Sequence, residues 1–172
     1  MIVNTRIATQ DLVAPASPAI LSRVLHALTA THAGVSGTVL RVALGAVMFP
    51  HGAQKLLGWF GGYGFSGTMG FLTGNVGLPT PLAALVIVAE FFGSIALVLG
   101  LFSRAAAVGI ISVMIGAVVT THLPNGFFMN WTGQQAGEGL EYHLLAIGMA
   151  VAILIQGSGR YSLDRLLARD RR

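Results

Sequence analysis

Residues 38–57 read TVLRVALGAVMFPHGAQKLL, an apolar run that nevertheless carries Arg41, Pro50, His51, Gln54 and Lys55. Crossing the ~30 Å hydrocarbon core of a bilayer takes about 20 residues at 1.5 Å each, the length of this run. Ionisable groups at that depth are costly, so they face a helix bundle or a wet cavity and are candidates for function. On a helix His51 and Lys55 are one turn apart with Gln54 between them, so all three project from one side. Pro50 removes a backbone donor beside them and is expected to kink the helix.

The rest of the chain has the same character. Of its 172 residues 54% are hydrophobic and 9% charged, with mean hydropathy +0.75, whereas a soluble domain carries about 25% charged residues. A single-domain membrane protein is expected, with the lipid bilayer as its first partner. The net charge of +4 comes from basic residues gathered mostly near the two ends. In so apolar a chain that is a topology signal, and no nucleic-acid partner is read from it. The absence of cysteine excludes disulfides, thiol relays and Cys-ligated metals.

The predicted architecture is all-α, a polytopic four-helix membrane bundle with an interfacial loop rich in glycine and aromatics. Residues 1–35 read as a cytoplasmic leader rather than a signal peptide, since no basic residue precedes an apolar core there. Within it Pro18–Leu28 has apolar residues at helical spacing and is expected to lie on the membrane surface. Residues 36–157 form the transmembrane domain, with spans near 38–57, 81–101, 104–122 and 140–156. Between the first two, residues 58–81 carry no charge, and Trp59, Phe60, Tyr63, Phe65 and Phe71 suit an interfacial belt with a short helix over 66–74. Residues 123–139 make a second aromatic loop, and 158–172 a basic tail suited to a membrane surface.

Topology follows from counting Lys and Arg. The leader holds Arg6 and Arg23, with Arg41 at the edge of the first span, the middle turn holds Arg104, and the tail holds Arg160, Arg165, Arg169, Arg171 and Arg172. The two aromatic loops hold none. The positive-inside rule then puts both termini in the cytoplasm of a bacterial inner membrane and both loops outside.

This topology places His51 ~15 Å up its helix from Arg41 and Lys55 ~6 Å further, with Glu90 descending from outside to a similar depth. Glu90 is the sole charge of the second span, where a carboxylate costs about 3 kcal/mol unless paired or protonated. His122, Glu138, Glu141 and His143 fall at the outer ends of spans three and four. His51 and Glu90 are the candidate catalytic pair, deep and titratable; Gln54, Lys55, His122, Glu141 and His143 are candidate substrate-binding residues. The structural alternative is that Glu90 pairs with Lys55, and Glu141 with a histidine, to hold the helices in register. Arg41 reads as a lipid anchor or a partner of the tail. Three dispersed histidines without fixed spacing are a weak signal for haem, and no metal site is assigned. Ala89 and Gly93 offer a strip where another helix can come close.

Four segments carry a resemblance to a known family: LRVALGAVMFPHGAQKLLGWFGGYG at 40–64, GLPTP at 77–81, AEFFGSIALVLGLFSRAAA at 89–107 and EYHLLAI at 141–147. Together they resemble the DoxX family of small four-helix bacterial inner-membrane proteins, over roughly residues 36–157. The family is similar to the membrane subunit of thiosulfate:quinone oxidoreductase. The resemblance implies membrane association with redox or quinone chemistry and places His51, Gln54, Lys55, Glu90 and Glu141 among the signature polar residues.

Three functions remain open at this stage. A quinone-linked oxidoreductase component needs an apolar slot plus a histidine or carboxyl at the carbonyl oxygens. No flavin, haem or iron–sulfur motif is visible, so a redox partner subunit or bound cofactor would supply electrons. A scaffold or assembly factor for a redox complex needs only the bundle. A small transporter would have to act as a homo-oligomer. The topology is testable: a reporter active only outside the cytoplasm, fused after Arg172, is expected to stay silent, and activity there would overturn the orientation.

Overall fold

The computed structural model describes residues 18–32 and 34–169. Most of the expected leader, with Arg6, and the end of the tail, with Arg171 and Arg172, lie outside them. Among the described residues the protein is all-α. Its helices are α1 (Pro18–Thr29), α2 (Val35–Leu57), α3 (Gly64–Gly70), α4 (Thr80–Leu99), α5 (Ser103–Ala117), α6 (Glu141–Gln156) and α7 (Leu163–Arg169). α3 runs on into a π-helical turn at Phe71–Asn75, and α5 into another at Val118–His122. Pro50 sits inside α2, which continues through it as one helix.

The four long helices close a ring in which α2 packs on α4 and α6, and α5 packs on the same two. Buried residues recur at three- and four-residue steps, as in Ala83, Ile87, Glu90, Ser94 and Leu97 of α4 and Ala146, Ala150 and Ile153 of α6. That spacing is the inward stripe of a left-handed bundle. The outward face is also apolar, with Leu85 60%, Val119 66%, Leu145 66% and Ile155 67% exposed. Thr80–Leu99 and Ser103–Asn125 are long and apolar enough to cross a membrane, and a helix apolar all round needs lipid or protein on every side.

The closest helix contact is α2 on α4. A Cβ at Gly52 would lie 2.6 Å from the Phe91 Cα, and one at Gly45 would lie 2.8 Å from the Ser94 carbonyl oxygen. Ala89 and Gly93 instead face α5, where a Cβ at Gly109 would meet that of Ala89 at 3.4 Å and one at Gly93 would meet Ile110 at 3.7 Å.

At one end the ring is locked by two buried charges. Arg41, 2% exposed, is no lipid anchor. It donates to the carbonyls of Leu97 (2.8 Å), Val98 (2.5 Å) and Ser158 (2.8 Å), and to that of Tyr161. The first two lie in the last turn of α4, where the Leu97 carbonyl also accepts the Gly100 N–H at 3.2 Å and a cation is favoured by the helix dipole. Asp164, fully buried, accepts the N–H groups of Phe102 (2.7 Å) and Ser103 (3.1 Å) at the start of α5 and the Ser158 hydroxyl. The residues after α6 are therefore a structural plug, not a tail resting wholly on a membrane surface. Gly100 makes the fit: its φ is +69°, and a Cβ there would lie 2.8 Å from the Arg41 Cζ. α1 is tied to the same end by Arg104, which donates to Ala27 O at 2.8 Å and Ile155 O at 3.2 Å.

Asp164→Ala strips the α5 amides of their acceptor and leaves the Arg41 charge uncompensated in that patch. It is expected to destabilise the fold by about 3–5 kcal/mol, the cost of breaking a buried charge network. An unfolding midpoint in detergent equal to that of wild type would refute the plug.

Candidate functional site

At the end of the ring away from Arg41 the helices do not close on one another. A cavity of about 680 Å³ lies there, walled by α2, α4, α5 and α6. It is covered by the turn at 71–78, and by Met129 and Glu138 from the second aromatic loop. Its lining is mostly apolar, and its ionisable side chains are His51, Lys55, Glu90, His122, Glu138, Tyr142 and His143. Both π-helical turns contribute to it, through Phe71 and Leu72 on one side and Thr120, Thr121 and His122 on the other. Such turns recur at functional sites because the extra residue re-aims side chains.

Glu90 is 4% exposed at its side chain and accepts a hydrogen bond from Lys55 Nζ at 2.5 Å, the latter 29% exposed. The pair offsets two charges that would otherwise be costly at this depth. It joins α4 to α2, which is also what the register alternative asks of it. His51, one turn before Lys55, presents its ring 5.8 Å from that of Tyr142 on α6. The Tyr142 hydroxyl donates to Met48 Sδ at 3.1 Å, a weak acceptor that leaves the oxygen lone pairs free.

His122 and His143 form a second pair, with ring centroids 4.0 Å apart. His122 Nδ1 lies 2.8 Å from the Glu138 carbonyl oxygen. A carbonyl only accepts, so this nitrogen carries the proton and Nε2 of the neutral ring is left as an acceptor. His143 is 5% exposed; its Nδ1 closes no hydrogen bond, with the Gly139 carbonyl one turn back as its electrostatic neighbour.

Of the sequence candidates, His51, Lys55, Glu90, His122 and His143 are brought to one cavity. Gln54 and Glu141 are not. Gln54 turns away to donate to Phe60 O at 3.2 Å, fastening the first aromatic loop where Phe60 takes a φ of 53°. Glu141 accepts the Met129 N–H at 3.2 Å and Glu138 accepts that of Asn130 at 2.6 Å, so both acids hold the second loop. Neither pairs with a histidine in the way the register alternative supposed for Glu141. Tyr142 was missed, because its neighbour His143 drew attention and nothing local shows that its ring crosses to α2. Among the described residues no three His, Asp or Glu side chains converge as a metal-holding set.

The DoxX family profile matches residues 37–123, which takes in α2, α4 and α5 and so three walls of the cavity. This chain belongs to the DoxX family. It is 29% identical over 126 residues to a Bacillus subtilis (strain 168) protein named "Putative oxidoreductase CatD", covering 73% of this chain and 82% of that one. It is 30% identical over 132 residues to "Inner membrane protein YphA" of Escherichia coli (strain K12), covering 74% of this chain and 86% of the other. No solved structure matches it. With the family and the apolar helices together, this is a DoxX-type membrane protein.

In this DoxX chain the Lys55–Glu90 bond should show itself in a double-mutant cycle. Lys55→Ala strands a nearly buried carboxylate and is expected to cost about 3 kcal/mol. Adding Glu90→Gln should recover a large part, with a coupling of about 1–3 kcal/mol between the two sites. Strictly additive unfolding energies would mean that the two side chains do not interact.

Proposed function

We propose that this protein is a quinone-interacting component of a membrane redox system, with the quinone ring held at the histidine end of the ring of helices. In this reading α2, α4, α5 and α6 all span a bacterial inner membrane, with the Arg41 end towards the cytoplasm and the cavity towards the outside. The observation that carries it is the cavity itself. A mostly apolar space of about 680 Å³ into which all four helices bring polar side chains suits a flat ring with opposed carbonyls. The names of the relatives agree in kind, one an oxidoreductase and one an inner-membrane protein.

Each residue then has a task. One quinone carbonyl accepts from Lys55 or from His51, and the Tyr142 hydroxyl beside His51 donates as well once it turns from its weak acceptor, Met48 Sδ. Quinone reduction takes up two electrons and two protons. His51 and Glu90 are the groups that hold and pass those protons, with Lys55 hydrogen-bonded to the Glu90 carboxyl. His122 and His143 form the wall nearest the loops, where protons would enter. The electrons come from a redox partner subunit or a bound cofactor, since the chain carries no motif for flavin, haem or an iron–sulfur cluster.

The scaffold reading has one specific observation in its favour: Lys55 and Glu90 already satisfy each other. Quinone titration separates the two. His51→Ala should weaken binding by about 1.5–3 kcal/mol, the worth of a charge-assisted hydrogen bond, or roughly ten- to a hundredfold. If titrations in lipid nanodiscs are indifferent to His51→Ala and Glu90→Gln combined, the scaffold reading stands instead.

A further inference from the structure

We infer that the cleft between α4 and α5 is the passage for a long isoprenoid tail, so that the quinone is taken sideways from the bilayer rather than through the loops from water. This rests on the quinone reading and specifies the substrate class as tailed, membrane-dissolved quinones.

The two helices leave a tight turn at Gly100–Phe102 and touch at Gly93 on Ile110 and at Gly109 on Ala89. Beyond that contact, towards the histidine end, each shows the other a stripe at helical spacing: Leu82, Leu85 and Val86 on α4, and Ser112, Gly116 and Ala117 on α5. All six line the cavity, with Val86 also packed against the core. Four of them are exposed, Leu82 (46%) and Leu85 (60%) on α4 and Ser112 and Gly116 on α5. The cavity wall is thus open on the face the helices turn to lipid. A Cβ at Gly116 would meet nothing within 4 Å; the small side of the cleft is unfilled.

Most of the ionisable groups lie on the far side, while Ser112, Thr120, Thr121 and His122 line the cavity from α5 and its continuation. His51 and Lys55 come from α2 and Tyr142 and His143 from α6, the two helices away from the cleft, and Glu90 is held against α2. A ring seated among them points its substituent back between α4 and α5. The opposite arrangement, a tail rising through the loops, would have to pass the cover formed by Phe71, Leu72 and Met129 and enter water. Moving a tail from lipid into this cleft gains little free energy, since lipid is as apolar as leucine. The cleft therefore adds little to the affinity of a tailed quinone, and decides only whether the tail has room when the ring is bound.

That distinction sets the experiment. Full-length protein in nanodiscs is titrated with 2,3-dimethoxy-5-methyl-1,4-benzoquinone, which has no tail, and with a long-chain ubiquinone that shares its ring. Gly116→Phe and, as an independent obstruction one turn away, Ser112→Phe should each weaken the tailed quinone at least tenfold. They should leave the ring-only compound within about threefold of wild type. Val119→Phe, on the exposed face outside the cavity, is the control and should change neither. Equal losses for both compounds, or no loss for either, would overturn the cleft while leaving the quinone reading in place; no loss is also the result if phospholipid chains occupy it. Wild type that binds neither compound would overturn the quinone reading and the cleft with it.

Discussion

A guanidinium buried among helices must find an acceptor for nearly every N–H it carries, because the energy of an unmet donor in an apolar setting rivals the stability of the whole fold. Arg41 meets this demand with four carbonyls, two from the end of α4 and two from the segment after α6. Those carbonyls can converge only if the α4–α5 turn and the chain after α6 are folded onto α2. Asp164 completes the set from the other sign, closing the start of α5 and sharing Ser158 with Arg41. Helix ends that would be orphaned in lipid are thus satisfied by side chains from elsewhere in the chain, and the four helices are pinned together at that end.

The pinned end has a consequence at the other. α4 and α5 are held together by their turn, by the Asp164 cap and by small residues at Ala89, Gly93 and Gly109, so they need no further contact beyond that point. The same holds for α2 and α4, joined through Gly45 and Gly52 and then by the Lys55–Glu90 bond. Space can therefore exist among the four helices at the histidine end without loosening the ring. The two π-helical turns lie where that space begins, and the aromatic loops fold over it, fastened by Gln54 for the first loop and by Glu138 and Glu141 for the second, two of which, Gln54 and Glu141, sequence alone assigns to chemistry.

The DoxX relationship and the cavity bear on function at different levels. Membership places the chain among membrane proteins, and one relative's name points to redox chemistry. Neither says which side chains would act. The geometry separates the polar residues into those with filled hydrogen-bonding roles and those with capacity left over. Arg41, Asp164, Gln54 and Glu141 are occupied. His51, Tyr142 and the Nε2 of His122 face the cavity with capacity to spare, and the Lys55–Glu90 pair stands beside them as a charged but neutral-sum unit. A carbonyl-bearing ligand requires donors, which His51, Lys55 and a Tyr142 hydroxyl turned from Met48 can supply, whereas the Nε2 of His122 and the Tyr142 lone pairs only accept.

The all-α class and the meeting of Glu90 with Lys55 were legible in sequence, because hydropathy and helical rise are local and additive. The burial of Glu90 against α2 follows from the same arithmetic, as no other cation of the chain lies at that depth. The partners of Arg41 were not legible: four carbonyl groups have no sequence signature, and Asp164 in a basic amphipathic tail looks like an ordinary surface residue. Nor was the turning away of Gln54 and Glu141. A side chain at a helix end has neighbours on the loop as well as in the bundle, and which it takes depends on how the loop closes. The sequence by itself determined which residues must leave lipid; only the tertiary structure decided which of them bond to one another and which are left facing a cavity, since that choice is made by contacts between segments about sixty to one hundred and twenty residues apart.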